Sequence, residues 1–441
     1  MSPTNLKRLS TAAMLTALAG LLTPGGCRSF VEDDSNTPPG ELVQSSKPRV
    51  TSPDVPEADL GELVEGNSTF AFDLYDHIRD EDGNVFCSPY SISLALAMTY
   101  AGARGETEQQ MADALHFTLG QDGLHPAFNA LDLDLDSRSK GASDAGGEKL
   151  QLSIVNRIWG QVGFSFHEAF LDVLAENYGA GLSLLDFFSA PEPSRITIND
   201  WVAEQTKDRI ENLIPQGGVT DETRMVLTNA IYFKAAWRDP FDEVCTSDQP
   251  FDLLDGGQVT VAMMRQAADY GYALGDGYQI VELPYDGGEL SMVIFLPDAG
   301  RFEEFESTLD SARFASILED VDFQEVDLSL PKFTFEWGDS LRDTLQMMGM
   351  EDAFDRSTAD FSGMTSMERL YIGDVIHKAF VAVDEEGTEA AAATAVIMFE
   401  ATAPPEEPVV VTVDRPFFFV LRDIPTGTIL FLGRVVDPSA S

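Results

Sequence analysis

The sequence predicts an α+β fold, in which helices and strands are mixed without a regular βαβ repeat. Two observations lead there. Short alternating or continuous apolar runs mark many strands, and amphipathic stretches of helical period fall between them at irregular intervals. The composition adds a third. With 441 residues, 44% hydrophobic and 10% aromatic, the chain can bury a large core, and length alone allows two or three domains.

In order, Asn67-Ser68-Thr69 offers N-caps for an amphipathic helix from Phe70 to about Arg79. Ser91 to Tyr100 reads as a buried helix, followed by a Gly-rich turn and an acid-capped helix from Thr107 to Leu115. Residues 133–149, rich in Asp, Ser, Gly and Lys, read as an exposed loop. Leu150 to Trp159 alternates as a strand, and Glu168 to Asn177 and Ser194 to Ile210 are helical. Met225 to Phe233, Gln279 to Leu283, Ser291 to Leu296 and Val326 to Leu330 read as strands, with a last helix from Asp339 to Met348. Val375 to Val383, Val409 to Val413, Phe417 to Leu421 and Thr428 to Val435 complete the strands, and no internal repeat is evident.

The net charge of −46 disfavours nucleic acid and anionic membrane surfaces as partners, because both would repel the chain. The acids are spread through periodic segments, which describes a solvated acidic surface rather than an acidic tail. Residues 1–26 read as a targeting segment: Lys7 and Arg8 precede an apolar run, Leu9 to Leu22, too short for a membrane span. Gly25-Gly26-Cys27 is similar to the end of a bacterial lipoprotein signal, with Cys27 as the lipidated first residue; Pro24 departs from that pattern, and an ordinary secretory signal is the alternative. Arg28 after Cys27 favours the outer membrane of the cell envelope; an extracellular location is the other expectation. Removing residues 1–26 takes away two basic and no acidic residues, moving the net charge from −46 to −48. Residues 27–62, rich in Pro, Ser, Asp and Glu, are expected as a flexible tether and 63–438 as the folded domain. Beyond Cys27 only Cys87 and Cys245 remain; Cys87 reads as a buried free thiol, and whether the two pair is left open.

No phosphate-binding loop, nucleophile elbow, metalloprotease helix or Cys-x-x-Cys motif occurs, and the five histidines show no ligand spacing. No enzyme, cofactor or metal is expected. The informative stretch is Glu385 to Ala395, Glu-Glu-Gly-Thr-Glu-Ala-Ala-Ala-Ala-Thr-Ala. Its alanines favour helix, yet it continues a strand-like run and leads to Pro404-Pro405-Glu406-Glu407-Pro408. Read with period two, Thr388, Ala390, Ala392, Thr394, Val396 and Met398 share one face, and Glu389 falls on the other with Ala391 and Ala393. Every side chain on the first face is burial-compatible, as in a strand that has yet to join a sheet. An Ala-rich surface helix or linker is the bland alternative.

Glu385 to Ala391 resembles the hinge of the serpins, a family of protease inhibitors. Further segments resemble serpin motifs in the family's order: Asn84 to Ser93, Gly102 to Thr107, Thr228 to Trp237, Pro331-Lys332-Phe333, Ala359 to Gly363, Val375 to Ala379, Asp414 to Phe418 and Gly427 to Arg434. The resemblance spans most of the chain. It implies three β-sheets, eight or nine helices and an exposed reactive-centre loop over 385–408, acting on a protease as a suicide substrate. It further implies a hinge at Glu385, Gly387, Thr388, Glu389, Ala390, Ala391 and Ala392, with Gly387 letting the backbone turn. A polar cluster of Ser88, Ser91, Asn229 and His377 is expected under the centre of the main sheet, and Trp237, Lys332 and Glu385 where insertion begins. Counting from the hinge puts the reactive bond at Ala401–Thr402; Phe399 and Glu400 are the alternatives if the register slips. Ala401 suits an elastase-like or subtilisin-like serine protease as partner. A monomer is expected, touching membrane only through its lipid anchor. A non-inhibitory binding protein and a cross-class inhibitor of cysteine proteases are the competing readings.

Overall fold

The computed structural model describes residues 39–141, 151–388 and 407–440. Among them lie the strands β1 (Glu41–Val43), β2 (Val85–Cys87), β3 (Gln151–Gln161), β4 (Leu182–Leu185), β5 (Met225–Ala236), β6 (Ser247–Asp252), β7 (Gln258–Gly275) and β8 (Tyr278–Pro284). They continue with β9 (Leu290–Pro297), β10 (Asp322–Pro331), β11 (Phe333–Ser340), β12 (Val375–Val383), β13 (Gly387–Thr388), β14 (Val409–Thr412), β15 (Phe417–Asp423) and β16 (Ile429–Val435). The helices are α1 (Glu57–Ile78), α2 (Pro89–Tyr100), α3 (Gly105–Leu115), α4 (Gly120–Gly141), α5 (Glu168–Val173), α6 (Pro191–Gln205), α7 (Phe302–Glu306), α8 (Ser311–Glu319) and α9 (Arg342–Met347).

The main sheet has the order β1-β4-β3-β5-β13-β12-β11. The second ladder runs β14-β10-β7-β8-β9-β15-β16-β2, with β6 on β7. This second ladder is two sheets sharing one strand. The first part of β7 pairs with β6, the middle with β10 and the end with β8, so an 18-residue strand runs through both. Counted by packing there are three sheets; counted by continuous hydrogen bonding there are two.

One large apolar core fills the space between the inner face of the main sheet, the second ladder and α1–α4. Phe86 stacks flat on Phe431 at 4.9 Å and on Phe419 at 5.6 Å, fastening β2 to the C-terminal strands. A smaller cluster, including Val155, Trp159, Trp201, Val226, Ala230 and Ile376, lies between the outer face of the main sheet and α6.

Several boundaries differ from the sequence reading for tertiary reasons. Asn67 to Thr69 are not caps: α1 begins at Glu57 behind Pro56, and Glu57 and Asp59 in its first turn suit the helix dipole. Asn67 is instead buried, and its Oδ1 accepts from Ser93 Oγ at 2.7 Å, tying α1 to α2. The exposed loop expected from residue 133 is helix as far as Gly141, because Leu124, Phe128, Leu131 and Leu135 form one buried stripe of α4. β11 continues to Ser340, where a helix was expected to have begun. From residue 39 the chain lies on the domain rather than forming a tether up to 62, since β1 pairs with β4 and α1 starts at Glu57. Cys87 is buried and Cys245 exposed, both as free thiols.

A buried ion pair joins the last strand to α7, and hydrogen bonds tie the first helix to both partners. Arg434 of β16 donates to Glu306 at 3.1 Å and to the carbonyls of Arg79 and Gly83 after α1, while Tyr75 of α1 donates to Glu306. Both charged side chains are 7% exposed. Removing one partner leaves an uncompensated charge in a poorly solvated site. Glu306→Ala is therefore expected to lower stability by about 3–5 kcal/mol, read as a clear fall in the urea midpoint; an unchanged midpoint would contradict it.

Candidate functional site: the mouth of the main sheet

β5 and β12 are parallel neighbours, paired from Leu227 with Val375 to Tyr232 with Phe380. Beyond that they part, and the chain leaving β12 turns back between them as β13. Thr388 faces Val383 of β12 on one side and Ala235 of β5 on the other, and Gly387 faces Ala236. The turn is closed by Asp384, whose carboxylate accepts from the amides of Glu386 at 3.0 Å and Gly387 at 3.3 Å. Gly387 is needed for closeness more than for turning: a Cβ there would lie 2.1 Å from the Ala235 carbonyl oxygen.

Trp237 sits at the same mouth. Its backbone amide donates to Glu386 O at 2.8 Å and its indole to Asp384 O at 3.0 Å, so one residue holds both sides of the turn. Its ring stacks on Tyr285 at 4.6 Å and 10°, and the Tyr285 hydroxyl is 2.8 Å from that of Thr388. Lys332 pairs with Glu385, which also accepts from Thr246 Oγ1 at 2.7 Å. Burial pushes the Glu385 carboxyl up, but the bonds from Lys332 and Thr246 outweigh it and hold it below the usual carboxylate range. Its neighbour Glu386 is pushed the other way, first by burial and then by Asp384, Glu243 and Glu385.

Further down, beneath the paired stretch, Ser88, Ser91, Asn229 and His377 share one network. Ser88 caps α2 and donates to Leu430 O at 2.7 Å. Asn229 Nδ2 donates to Ser91 Oγ and to Asn156 Oδ1, each at 2.6 Å, while Asn156 Nδ2 returns a bond to Ser91 O at 3.0 Å. His377 Nδ1 meets Asn229 Oδ1 and must donate to it; Nε2 then accepts from Ser88 N at 3.2 Å. That arrangement admits only the neutral ring. Burial agrees, pushing the His377 pKa down to about 3.

The sequence reading missed Asn156, Tyr285, Thr246 and Asp384. Asn156 was findable, since it is the polar residue on the core-facing parity of β3 between Ile154 and Ile158. Tyr285 and Thr246 come from distant segments and left no local signal. Glu389, Ala390, Ala391, Ala392, Phe399, Glu400, Ala401, Thr402 and Cys27 lie outside the described residues. Among the described residues no helix is long and apolar enough to cross a membrane.

The seam between β5 and β12 is thus backed by a polar network and carries the two-residue strand β13 at its mouth. Residues 65–438 match the family described as Serpin (serine protease inhibitor). An uncharacterized serpin-like protein of Thermococcus kodakarensis is 39% identical over 437 residues, covering 97% of this chain and 99% of that protein. The leukocyte elastase inhibitor of Homo sapiens is 40% identical over 390 residues, covering 86% of this chain and 100% of that protein. Among solved structures, the thermophilic serpin tengpin in its native state aligns with a TM-score of 0.78 at 28% identity, over 90% of this chain and 100% of that one. Human thyroxine-binding globulin aligns with a TM-score of 0.77 at 30% identity, over 87% and 100%. The chain belongs to the serpin family. The family match begins inside α1, so β1 and the segment after it lie ahead of the matched region.

The neutral histidines set a pH dependence. His125 is also buried, and its pKa is pushed down to about 4 by burial and then by Arg104. A histidine whose folded pKa is depressed contributes stability that is present above its unfolded value, near ~6.5. That stability is lost as pH falls toward about 4 for His125 and about 3 for His377. His377→Gln removes one of the two contributions. Its urea midpoint is expected to fall less steeply than the wild type's between roughly pH 6.5 and 4, whatever its value at pH 7; parallel slopes would count against the neutral-ring assignment.

Proposed function

We propose that this chain is a suicide inhibitor of serine proteases, acting by insertion of residues after Thr388 into the main sheet. The observation that carries the reading is β13. Its two residues already pair with β5 on one side, and Thr388 with β12 on the other. The sequence that follows keeps small, uncharged side chains on the parity of Thr388, namely Ala390, Ala392 and Thr394. Such side chains enter a sheet interior without steric delay, whereas a charge would bring a large desolvation cost.

In this mechanism the protease serine attacks the Ala401 carbonyl, the Ala401–Thr402 bond breaks and the Thr402 amine leaves with a proton. An ester then links Ala401 to the enzyme. The freed segment inserts between β5 and β12, carrying the bound protease with it, before water can hydrolyse the ester. For about ninety-nine molecules trapped per one released, the insertion barrier must lie roughly 2.7 kcal/mol below that of deacylation. Glu385, Gly387 and Trp237 form the pivot, the Lys332–Glu385 pair restrains it, and Ser88, Ser91, Asn229 and His377 form the latch under the seam. Ala401 suits a small specificity pocket, so elastase-like and subtilisin-like enzymes are the proposed targets. The same proposal includes export, lipidation at Cys27 and residence in the cell envelope as a monomer.

The test is to mix the chain with pancreatic elastase, subtilisin, chymotrypsin and a glutamate-specific protease, then run denaturing gels and measure intact masses. A complex that survives boiling in detergent, with release of a peptide beginning at Thr402, is the expected result with elastase or subtilisin. Clean cleavage without a complex would overturn inhibition and leave a serpin-fold binding protein. Thr388→Arg should convert the inhibitor into a substrate, cleaved at the same bond with little complex; undiminished trapping would exclude the insertion step.

A further inference from the structure

The edge of the main sheet carries a feature that loop insertion does not use. β4 would be the outer strand, but β1 covers it with three antiparallel pairs, Glu41 with Leu184, Leu42 with Ser183 and Val43 with Leu182. The chain then crosses onto the helices beside the sheet. Ser45 Oγ donates to Asp172 of α5. Lys47 Nζ lies 3.0 Å from Asp172 and 3.1 Å from Glu176, in the single turn (Leu174–Tyr178) that follows α5. Arg49 donates to Asn129 at 2.8 Å and to Asp132 at 2.6 Å, both on α4. Backbone bonds close the far end: Val50 N to Glu176 O at 2.8 Å, and Asn129 Nδ2 to Val50 O at 2.7 Å.

The receiving surface is shaped for this segment. Ser45, Lys47 and Arg49 alternate, as the downward face of an extended chain must. Opposite them stand three carboxylates, Asp132, Asp172 and Glu176. A Cβ at Gly181 would lie 2.8 Å from Val43 O, and one at Gly179 would lie 3.2 Å from Arg49 Cδ, so both glycines keep the groove open. Asn129 is fully buried, and both ends of its amide bond this segment, Nδ2 reaching Glu176 O as well at 3.4 Å. In a chain with 28 basic and 74 acidic residues, two cations set two positions apart on three acids form a specific match rather than a general attraction.

We propose that residues 41–50 are an intramolecular ligand seated in a groove built for an extended segment with cations at two alternate positions, and that seating holds the main sheet closed. The groove joins two bodies. β1 grips β4, and through it the β4-β3-β5 half of the sheet; Lys47, Arg49 and Val50 grip α4 and the α5 turn, which pack into the main core. Parting β5 from β12 moves that half of the sheet over the helices, and a seated segment resists the movement. The holding role rests on the proposed insertion mechanism; the seating itself does not.

The experiment uses the full chain and three forms: wild type, Lys47→Glu with Arg49→Glu, and Arg49→Glu with Asp132→Arg. Hydrogen exchange is followed at residues 41–50 and 182–185 for seating, and at Val375–Phe380 for the seam. The doubly reversed variant is expected to exchange about tenfold faster at both places, the scale of two partly exposed ion pairs. The charge-swapped variant should return most of the way to wild type. Unchanged exchange at 41–50 would overturn the seating, and fast exchange there with an unchanged seam would overturn the holding role. Appearance of a dimer in the wild type by sedimentation, with seating lost on dilution, would overturn the intramolecular assignment in favour of exchange between copies. Because exchange needs no protease, failure of wild type to trap any protease would refute the inhibitor reading and leave the seating result standing.

Discussion

Six residue pairs, Leu227–Tyr232 against Val375–Phe380, join the two halves of the main sheet, and the rest of the molecule is arranged around that short parallel ladder. Parallel pairing is slightly weaker per residue than antiparallel pairing, so the seam is more weakly bonded per residue than the antiparallel ladders on either side of it. Antiparallel ladders flank it, β3 with β5 and β11 with β12, and these hold each half together as a unit. The weakness is local and directional, because the halves can part without either losing its own bonds.

What stands under the seam is polar, although an apolar core would have been easier to stabilise. Ser88, Ser91, Asn229 and His377, all fully buried, and the half-buried Asn156 satisfy one another in one layer. An apolar contact weakens gradually as surfaces separate, whereas a hydrogen-bond network in a low-dielectric interior holds until its geometry fails and then leaves costly orphans. The network therefore gives the seam a threshold. The mouth above works differently: Trp237, Tyr285 and Lys332 hold Asp384, Thr388 and Glu385 individually, each by its own bond.

Much of this was legible in the residues. The apolar strands near the C-terminus, the buried helix after Ser91 and the α+β class all followed from period and turn chemistry. Ser88, Ser91, Asn229 and His377, which the structure brings into one network, were named by resemblance and not by pattern; nothing local links residues so far apart. The failures have a common cause. α1 extends thirteen residues ahead of Phe70 because buried contacts such as Leu63 and Asn67 override weak helix formers. β1 is three residues long and carries no period at all; only its partner β4 and the acids beyond define it. β7 is broken in the sequence by Gly271 and Asp269, and it persists because different strands support its different parts.

The joining of the first and last elements by Arg434 also bears on how the chain is made. On the ribosome, every strand of the main sheet and Thr388 have been synthesised before β14, β15 and β16 exist. Until those arrive, β2 lacks its partner β16 and β9 pairs with β8 alone, and the Arg434–Glu306 ion pair, to which Tyr75 of α1 also bonds, cannot form. Contacts spanning some 350 residues form slowly. The order of synthesis thus completes the main sheet's strands before the ladder that backs them.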